Sequence, residues 1–208
     1  WVDAALTRVA ELGSGAGDGG PAVLGVDGCR AGWVGVVWEG RTATAFVAGT
    51  VGDLVANVRA EHPGLAVVGI DIPIGLADTG PRGADLLARG RLPAGRKSSV
   101  FPAPARAATG ATTHPEASAA NRDATGVGLS IQAFHLLPKI LEVDAYVRSP
   151  RSCRVVEVHP EVSFAAMDAA CVVPSKRTPA GAAARVSALR AAGLEPPAYA
   201  PGHGYAAA

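Results

Sequence analysis

Asp71 stands inside an apolar run, Val67-Val68-Gly69-Ile70-Asp71-Ile72-Pro73-Ile74-Gly75-Leu76, with isoleucine on each side. Bounded by Gly and Pro and rich in Val and Ile, the run reads as a strand buried on both faces. An unpaired ionised carboxylate buried there costs several kcal/mol, so a metal, a cation or a cluster of donors must compensate it. Pro73 cannot donate to a sheet ladder, so pairing ends just after Asp71, at the C-terminal end of the strand where open α/β sheets place their sites. Asp27 closes an earlier strand and Glu157 lies on a later one. Converging carboxylates are hard ligands for Mg²⁺ or Mn²⁺. Two such ions, about 4 Å apart, clamp the attacking and leaving oxygens in phosphodiester hydrolysis.

Each acid has a plainer reading beside this one. Asp27-Gly28 is also a common hairpin-turn pair. His159 alternates with Glu157 and shares its strand face; next to Pro160 it is either a satisfied turn residue or a ligand or proton shuttle. Glu161 doubles as a first-turn acid favoured by the helix dipole. Between Arg82 and Arg106 there are six basic residues (Arg82, Arg89, Arg91, Arg96, Lys97 and Arg106) against one acid, Asp85. Such a patch either attracts phosphate or is a solvated loop.

The elements that must position these residues follow from the periodicity. Strands are expected over 22–26, 32–39 and 42–47, joined by short Gly-containing turns as a meander. A helix over 51–62 with Leu54, Val55 and Val58 on one face leads to the strand at 66–72. After that crossover the fourth strand lies parallel to the first and beside it. A helix over 82–91, a loop over 92–113, and a long helix from 130 to 147 that Pro138 kinks or restarts come next. Along it Gln132, His135, Lys139 and Glu142 form a polar stripe, either the solvent face or the wall of a site. A fifth strand over 153–158 turns at Pro160 into a helix, and Thr178-Pro179 starts another that Gly193 ends, with Val186 and Leu189 inward. With strands in the order 3-2-1-4-5, Asp27, Asp71 and Glu157 occupy three adjacent strands.

At 208 residues the chain fits one domain with a real core. Residues 1–20 read as an N-terminal arm, a short helix followed by the glycine-rich stretch 13–20; 21–195 form the domain and 196–208 an irregular tail. No apolar run reaches the ~18 residues of a membrane-spanning helix, and no signal peptide is visible. Cys29, Cys153 and Cys171 show no zinc spacing, and their sparseness leads to the expectation of a reducing cytoplasm.

Several motifs together resemble the domain-of-unknown-function family 429, predicted RNase H-like nucleases. They are Gly25-Val26-Asp27-Gly28-Cys29-Arg30-Ala31-Gly32-Trp33-Val34, Asp71-Ile72-Pro73-Ile74-Gly75-Leu76, the Arg82/Asp85/Arg89 spacing, and Ser98-Ser99-Val100-Phe101. Leu129-Ser130-Ile131-Gln132, Lys139-Ile140-Leu141-Glu142-Val143-Asp144 and Glu157-Val158-His159-Pro160-Glu161 complete a match over about residues 23–193. The resemblance implies an RNase H-like α/β fold, a five-stranded mixed sheet of order 3-2-1-4-5 flanked by helices. It maps Asp27 and Asp71 onto the two acids that superfamily holds on its first and fourth strands. It implies that Lys139, Glu142 and Asp144 turn the stripe through Gln132 toward the site, and that Arg82, Asp85, Lys97, Ser98 and Ser99 line a phosphate-facing rim. Such nucleases also take an acid from a C-terminal helix, whereas this sequence has none after Glu195. Either that piece lies outside this sequence, Glu157 or Glu161 substitutes, or catalysis is impaired; His203 is a weak stand-in.

The expected function is therefore a metal-dependent nuclease: Asp27, Asp71 and Glu157 bind Mg²⁺ or Mn²⁺, and His159 and Glu161 assist. Nucleic acid is the expected partner, without a membrane. Two other classes compete. An ATP-dependent phosphotransferase of the actin-like and sugar-kinase superfamily shares the core, but there is no P-loop and no second lobe. A catalytically impaired module binding nucleic acid or protein fits the missing C-terminal acid.

Overall fold

The computed structural model describes residues 20–196; the expected arm helix and most of the tail lie outside the described residues. Three strands form the meander: β1 Val23–Cys29, β2 Gly32–Glu39 and β3 Thr42–Ala48. Helix α1, Val51–Glu61, crosses to β4, Val67–Ile70. Then come α2 Gly83–Arg91, α3 His114–Thr125 and α4 Ile131–Arg148. Strand β5 Arg154–Glu157, α5 Pro160–Met167 and α6 Pro179–Ala191 complete the domain. The sheet has five strands in the order β3-β2-β1-β4-β5, antiparallel within the meander and parallel from β1 through β4 to β5. That is the mixed sheet and the order read from the sequence.

One face of the sheet carries the core. Leu24 and Val26 on β1, Trp33 and Val37 on β2, and Val68 and Ile70 on β4 are buried against Val51, Leu54, Val55 and Val58 of α1 and Ile140 and Val143 of α4. Strand alternation accounts for this, since residues two apart share a face. The opposite face is far more open. Gly25 and Asp27 on the central strand are exposed, as are Ala45 and Val47, while Val34, Val36 and Trp38 are half-buried. A Cβ on Gly25 would meet only the Val36 carbonyl, at 4.0 Å.

Four local expectations change. Strand β4 ends at Ile70, before Asp71, although the Asp71 N–H still donates to the Val26 carbonyl at 2.9 Å. Pro138, which is exposed, does not start a new helix: α4 runs through it from Ile131 to Arg148. Helix α3 was not anticipated. Thr113 and Glu116 form a reciprocal capping box at its start and Gly126, at φ 80°, ends it. On α6 the buried positions are Gly181, Arg185 and Ala188, and Val186 and Leu189 are only half-buried, because the helix turns Arg185 inward to meet Glu161. No helix among the described residues is long and apolar enough to cross a membrane.

Gly32 closes the β1–β2 hairpin at φ 122°, and a Cβ there would lie 2.4 Å from the Ala48 carbonyl. Both the backbone conformation and the space exclude a side chain. Gly32→Ala is expected to cost about 2–4 kcal/mol in urea denaturation, the range for strained backbone combined with steric overlap.

Candidate acidic site

Parallel pairing of β1 and β4 builds the site. Val26 pairs with Ile70, and the ladder continues one step through the Asp71 N–H to the Val26 carbonyl. Asp27 and Asp71 are the next residues on each strand, so they project side by side from the open face. Asp27 Oδ1 accepts the Gly28 N–H at 2.7 Å. Among the described residues nothing donates a hydrogen bond to the Asp71 carboxylate, and neither acid has an ion-pair partner. Burial is the main reason the Asp71 carboxyl rises from 3.8 to about 6, followed by repulsion from Asp27. His159 and Lys176 pull the other way, and Glu157 adds the smallest push upward.

The third expected ligand is elsewhere. Glu157 pairs with Ile70, one step short of Asp71, so alternation turns it to the other face of the sheet. There Arg82 grips both its oxygens, Nη1 to Oε2 and Nη2 to Oε1, each at 2.6 Å. The Ile74 N–H adds a bond at 2.9 Å. Arg82 also donates Nε to Asp85 Oδ1 at 2.9 Å and Nη1 to the Ile74 carbonyl at 3.0 Å. The second Asp85 oxygen accepts the Ala103 N–H at 2.8 Å. Burial works against the Arg82 charge, but hydrogen bonds to Glu157 and then Asp85 hold its pKa above the ordinary arginine value. Arg82, Asp85 and Glu157 therefore form an internal clamp joining the loop after β4 to β5.

Glu161 is likewise committed, buried between Arg185 (2.7 Å) and Arg96 (3.5 Å). The polar stripe on α4 divides. Gln132 and His135 are exposed. Glu142 accepts Trp33 Nε1 at 2.9 Å and the Val51 N–H at 2.6 Å, fastening α4 to β2 and to the start of α1. Lys139 lies along Gly28, donates to the Gly32 carbonyl and places its ammonium 4.4 Å from the centre of the Trp33 ring. Both side chains are engaged within the protein. Asp144 is held by Arg106 and Arg148, and Arg106 first among the causes keeps its carboxyl below the ordinary range.

His159 does reach the site. It caps α5, and its Nε2 faces the Ser99 carbonyl at 3.1 Å, which makes Nε2 the protonated nitrogen. Its Nδ1 is buried with no hydrogen-bond partner. The same contact draws in the turn Ala94–Ser99, where Lys97 and Ser98 are exposed. Lys176, whose charge acts on Asp71, was not singled out in the sequence. Its only signal was the basic pair Lys176-Arg177 in a stretch bounded by Pro174 and Pro179. No group of three or more metal-ligating side chains forms among the described residues. What remains is two adjacent uncompensated carboxylates, which fit one hydrated divalent ion, since Mg²⁺ keeps several waters and takes one or two carboxylates.

The family model described as protein of unknown function (DUF429) matches residues 25–206. The chain belongs to the DUF429 family. No curated protein and no solved structure matches this DUF429 chain.

Two outcomes follow for the DUF429 domain. Arg82→Met strands two carboxylates that are largely shielded from water, and about 3–5 kcal/mol of stability should disappear in urea melts, with Glu157→Gln restoring part of it. For Asp71 the folded state holds its proton up to about pH 6, whereas the unfolded chain releases it near 3.8. The stability this proton preference contributes is complete below pH 3.8 and lost as pH rises through 6. Asp71→Asn should therefore raise the melting temperature at pH 7.5, corresponding to about 1–2 kcal/mol, and leave it unchanged near pH 4.

Proposed function

We propose that this DUF429 protein is a metal-dependent nuclease of RNase H-like fold that hydrolyses phosphodiester bonds in nucleic acid. One observation carries the reading: Asp27 and Asp71 stand side by side at the ends of parallel strands, uncompensated, with Asp71 pushed up to about 6. Folding like charges together has a cost, and a site that takes up a cation recovers it. The sheet order, with these acids on the first and fourth strands, is the arrangement the resemblance to RNase H-like nucleases implies.

Asp27 and Asp71 would hold Mg²⁺ or Mn²⁺, and that ion would neutralise charge on the phosphate under attack. His159 contributes a lone pair at Nδ1, because Nε2 spends its proton on the Ser99 carbonyl. Lys97 and Ser98, on the turn tethered to His159, are available to substrate phosphates.

A second reading is a nucleic-acid-binding module without turnover. It is favoured by Glu157 and Glu161 both being neutralised by arginines, which leaves two carboxylates where the resemblance implies three. Cleavage of labelled single-stranded RNA and DNA with Mn²⁺, together with Mn²⁺ calorimetry, separates the readings. We expect metal-dependent cleavage that falls roughly 100-fold or more in Asp27→Asn and Asp71→Asn. Undiminished turnover in Asp71→Asn removes the nuclease assignment, and binding of metal and oligonucleotide without cleavage selects the second reading.

A further inference from the structure

Strand register sorts the open face of the sheet into rows, because residues paired across strands share a face and every second residue along a strand returns to it. One row holds Asp27, with Val34 on one side and Asp71, just past the end of β4, on the other. The next holds Gly25 between Val36 and Gly69. The third holds Val23, with Trp38 on one side and Val67 and then Arg154 on the other. Trp38 and Arg154 therefore project from the same face as the acid pair, about 13 Å further along the strands.

The middle row is bare at its centre. Val158 fills the space over Gly69, where a Cβ would meet Cγ1 at 2.9 Å. Gly25 is exposed, and a Cβ on it would meet only the Val36 carbonyl, at 4.0 Å. Its φ is not positive, so neither backbone conformation nor crowding demands glycine there. Glycine inside a strand weakens it and often marks a place where a ligand comes close to the backbone. Among the described residues it leaves an open trough, one residue wide, between Val36 and Val158.

The far end of this face is basic. The Arg154 side chain is exposed and has no hydrogen-bond or salt-bridge partner among the described residues. Just before β5, Arg151 donates Nη1 to the Ser149 carbonyl at 3.2 Å, and Arg59 of α1 donates to the Ser152 hydroxyl. Neither of these two pairs with an acid among the described residues. A charge on an edge strand discourages edge pairing whatever its sign. Three uncompensated guanidiniums at one end of a face that carries two carboxylates at the other match a polyanion that also bridges to a metal.

We propose that a single strand of nucleic acid lies along this face, with one phosphate at the ion held by Asp27 and Asp71, a base in the trough over Gly25 and against Trp38, and a further phosphate on Arg154. This rests on the nuclease reading above. Arginine meets phosphate with two parallel N–H donors. An aromatic ring on an apolar floor accepts any base, so binding along the track carries no sequence preference.

The test is fluorescence anisotropy of labelled single-stranded RNA and DNA over a KCl series with Ca²⁺ present, run beside Mn²⁺ calorimetry of the wild type and Asp71→Asn. Arg154→Ala should weaken binding about five- to tenfold and flatten the log–log salt slope by about 0.7, the increment for one phosphate contact on a single strand. Arg154→Lys should keep most of that slope. Gly25→Val should weaken binding about tenfold or more by filling the trough, with the salt slope unchanged. Should the valine variant fail to fold, Gly25→Ala, whose Cβ has space, should weaken binding in the same direction. Arg190→Ala, removing an exposed arginine paired with Glu195, should change neither affinity nor slope. If Asp71-dependent Mn²⁺ heat is present but either the Arg154→Ala or the folded Gly25 variant binds as the wild type does, the track falls while the nuclease reading stands. If Mn²⁺ gives no heat, the nuclease reading falls, and losses in both variants still uphold the track as a binding surface. A wild type that binds no oligonucleotide overturns the track.

Discussion

A largely buried carboxylate held next to a second one on the neighbouring strand is the constraint around which this domain is arranged. Asp27 and Asp71 are brought together by the parallel β1–β4 ladder, and the ladder is enforced from the other side of the sheet. Leu24, Val26, Val68 and Ile70 are buried there beneath α1 and α4. Moving either strand by one residue would turn those side chains out and expose the core. The acids cannot slide apart without that loss, so hydrophobic burial holds an electrostatic conflict in place.

The rest of the acidic inventory shows how ordinary compensation looks in the same chain. Arg82 straddles Glu157 and Asp85, Arg185 and Arg96 flank Glu161, and Arg106 and Arg148 hold Asp144. Glu142 has no cation but receives two N–H donors from separate elements. Each of these acids ties one element to another. Against that pattern the pair at the ends of β1 and β4 is distinct: among the described residues neither acid has an ion-pair partner. A fold that neutralises its structural carboxylates so consistently has the means to neutralise these two and does not.

The open face of the sheet gives that distinction a direction. Gly25 lies two residues before Asp27 on the same strand face, with space above it, while Val158 fills the space over Gly69 on β4. The acids therefore look out over the meander side rather than into the helical layer. His159 and Lys176 come from the opposite flank, carried by α5 and by the segment before α6.

Much of this was legible in the sequence. Alternating Val and Ile, Gly-containing turns and a helical crossover are local signals, and they determined the meander and the parallel fourth strand, while the family resemblance implied the full order 3-2-1-4-5. An aspartate between isoleucines was also enough to single out Asp71, because the cost of burying an unpaired charge does not depend on the details of the fold. Helix α3 was missed although Thr113 and Glu116 carried its capping box, since its apolar stripe is made of alanines. What the sequence by itself could not decide was which acids are free. Glu157, Glu161, Glu142 and Asp85 look in one dimension like Asp27 and Asp71. Only the tertiary structure, by bringing arginines from 75 and 24 positions away onto Glu157 and Glu161, separates acids that bind the protein together from acids with no ion-pair partner among the described residues. Pairing of charges across such distances is a property of packing and not of spacing along the chain.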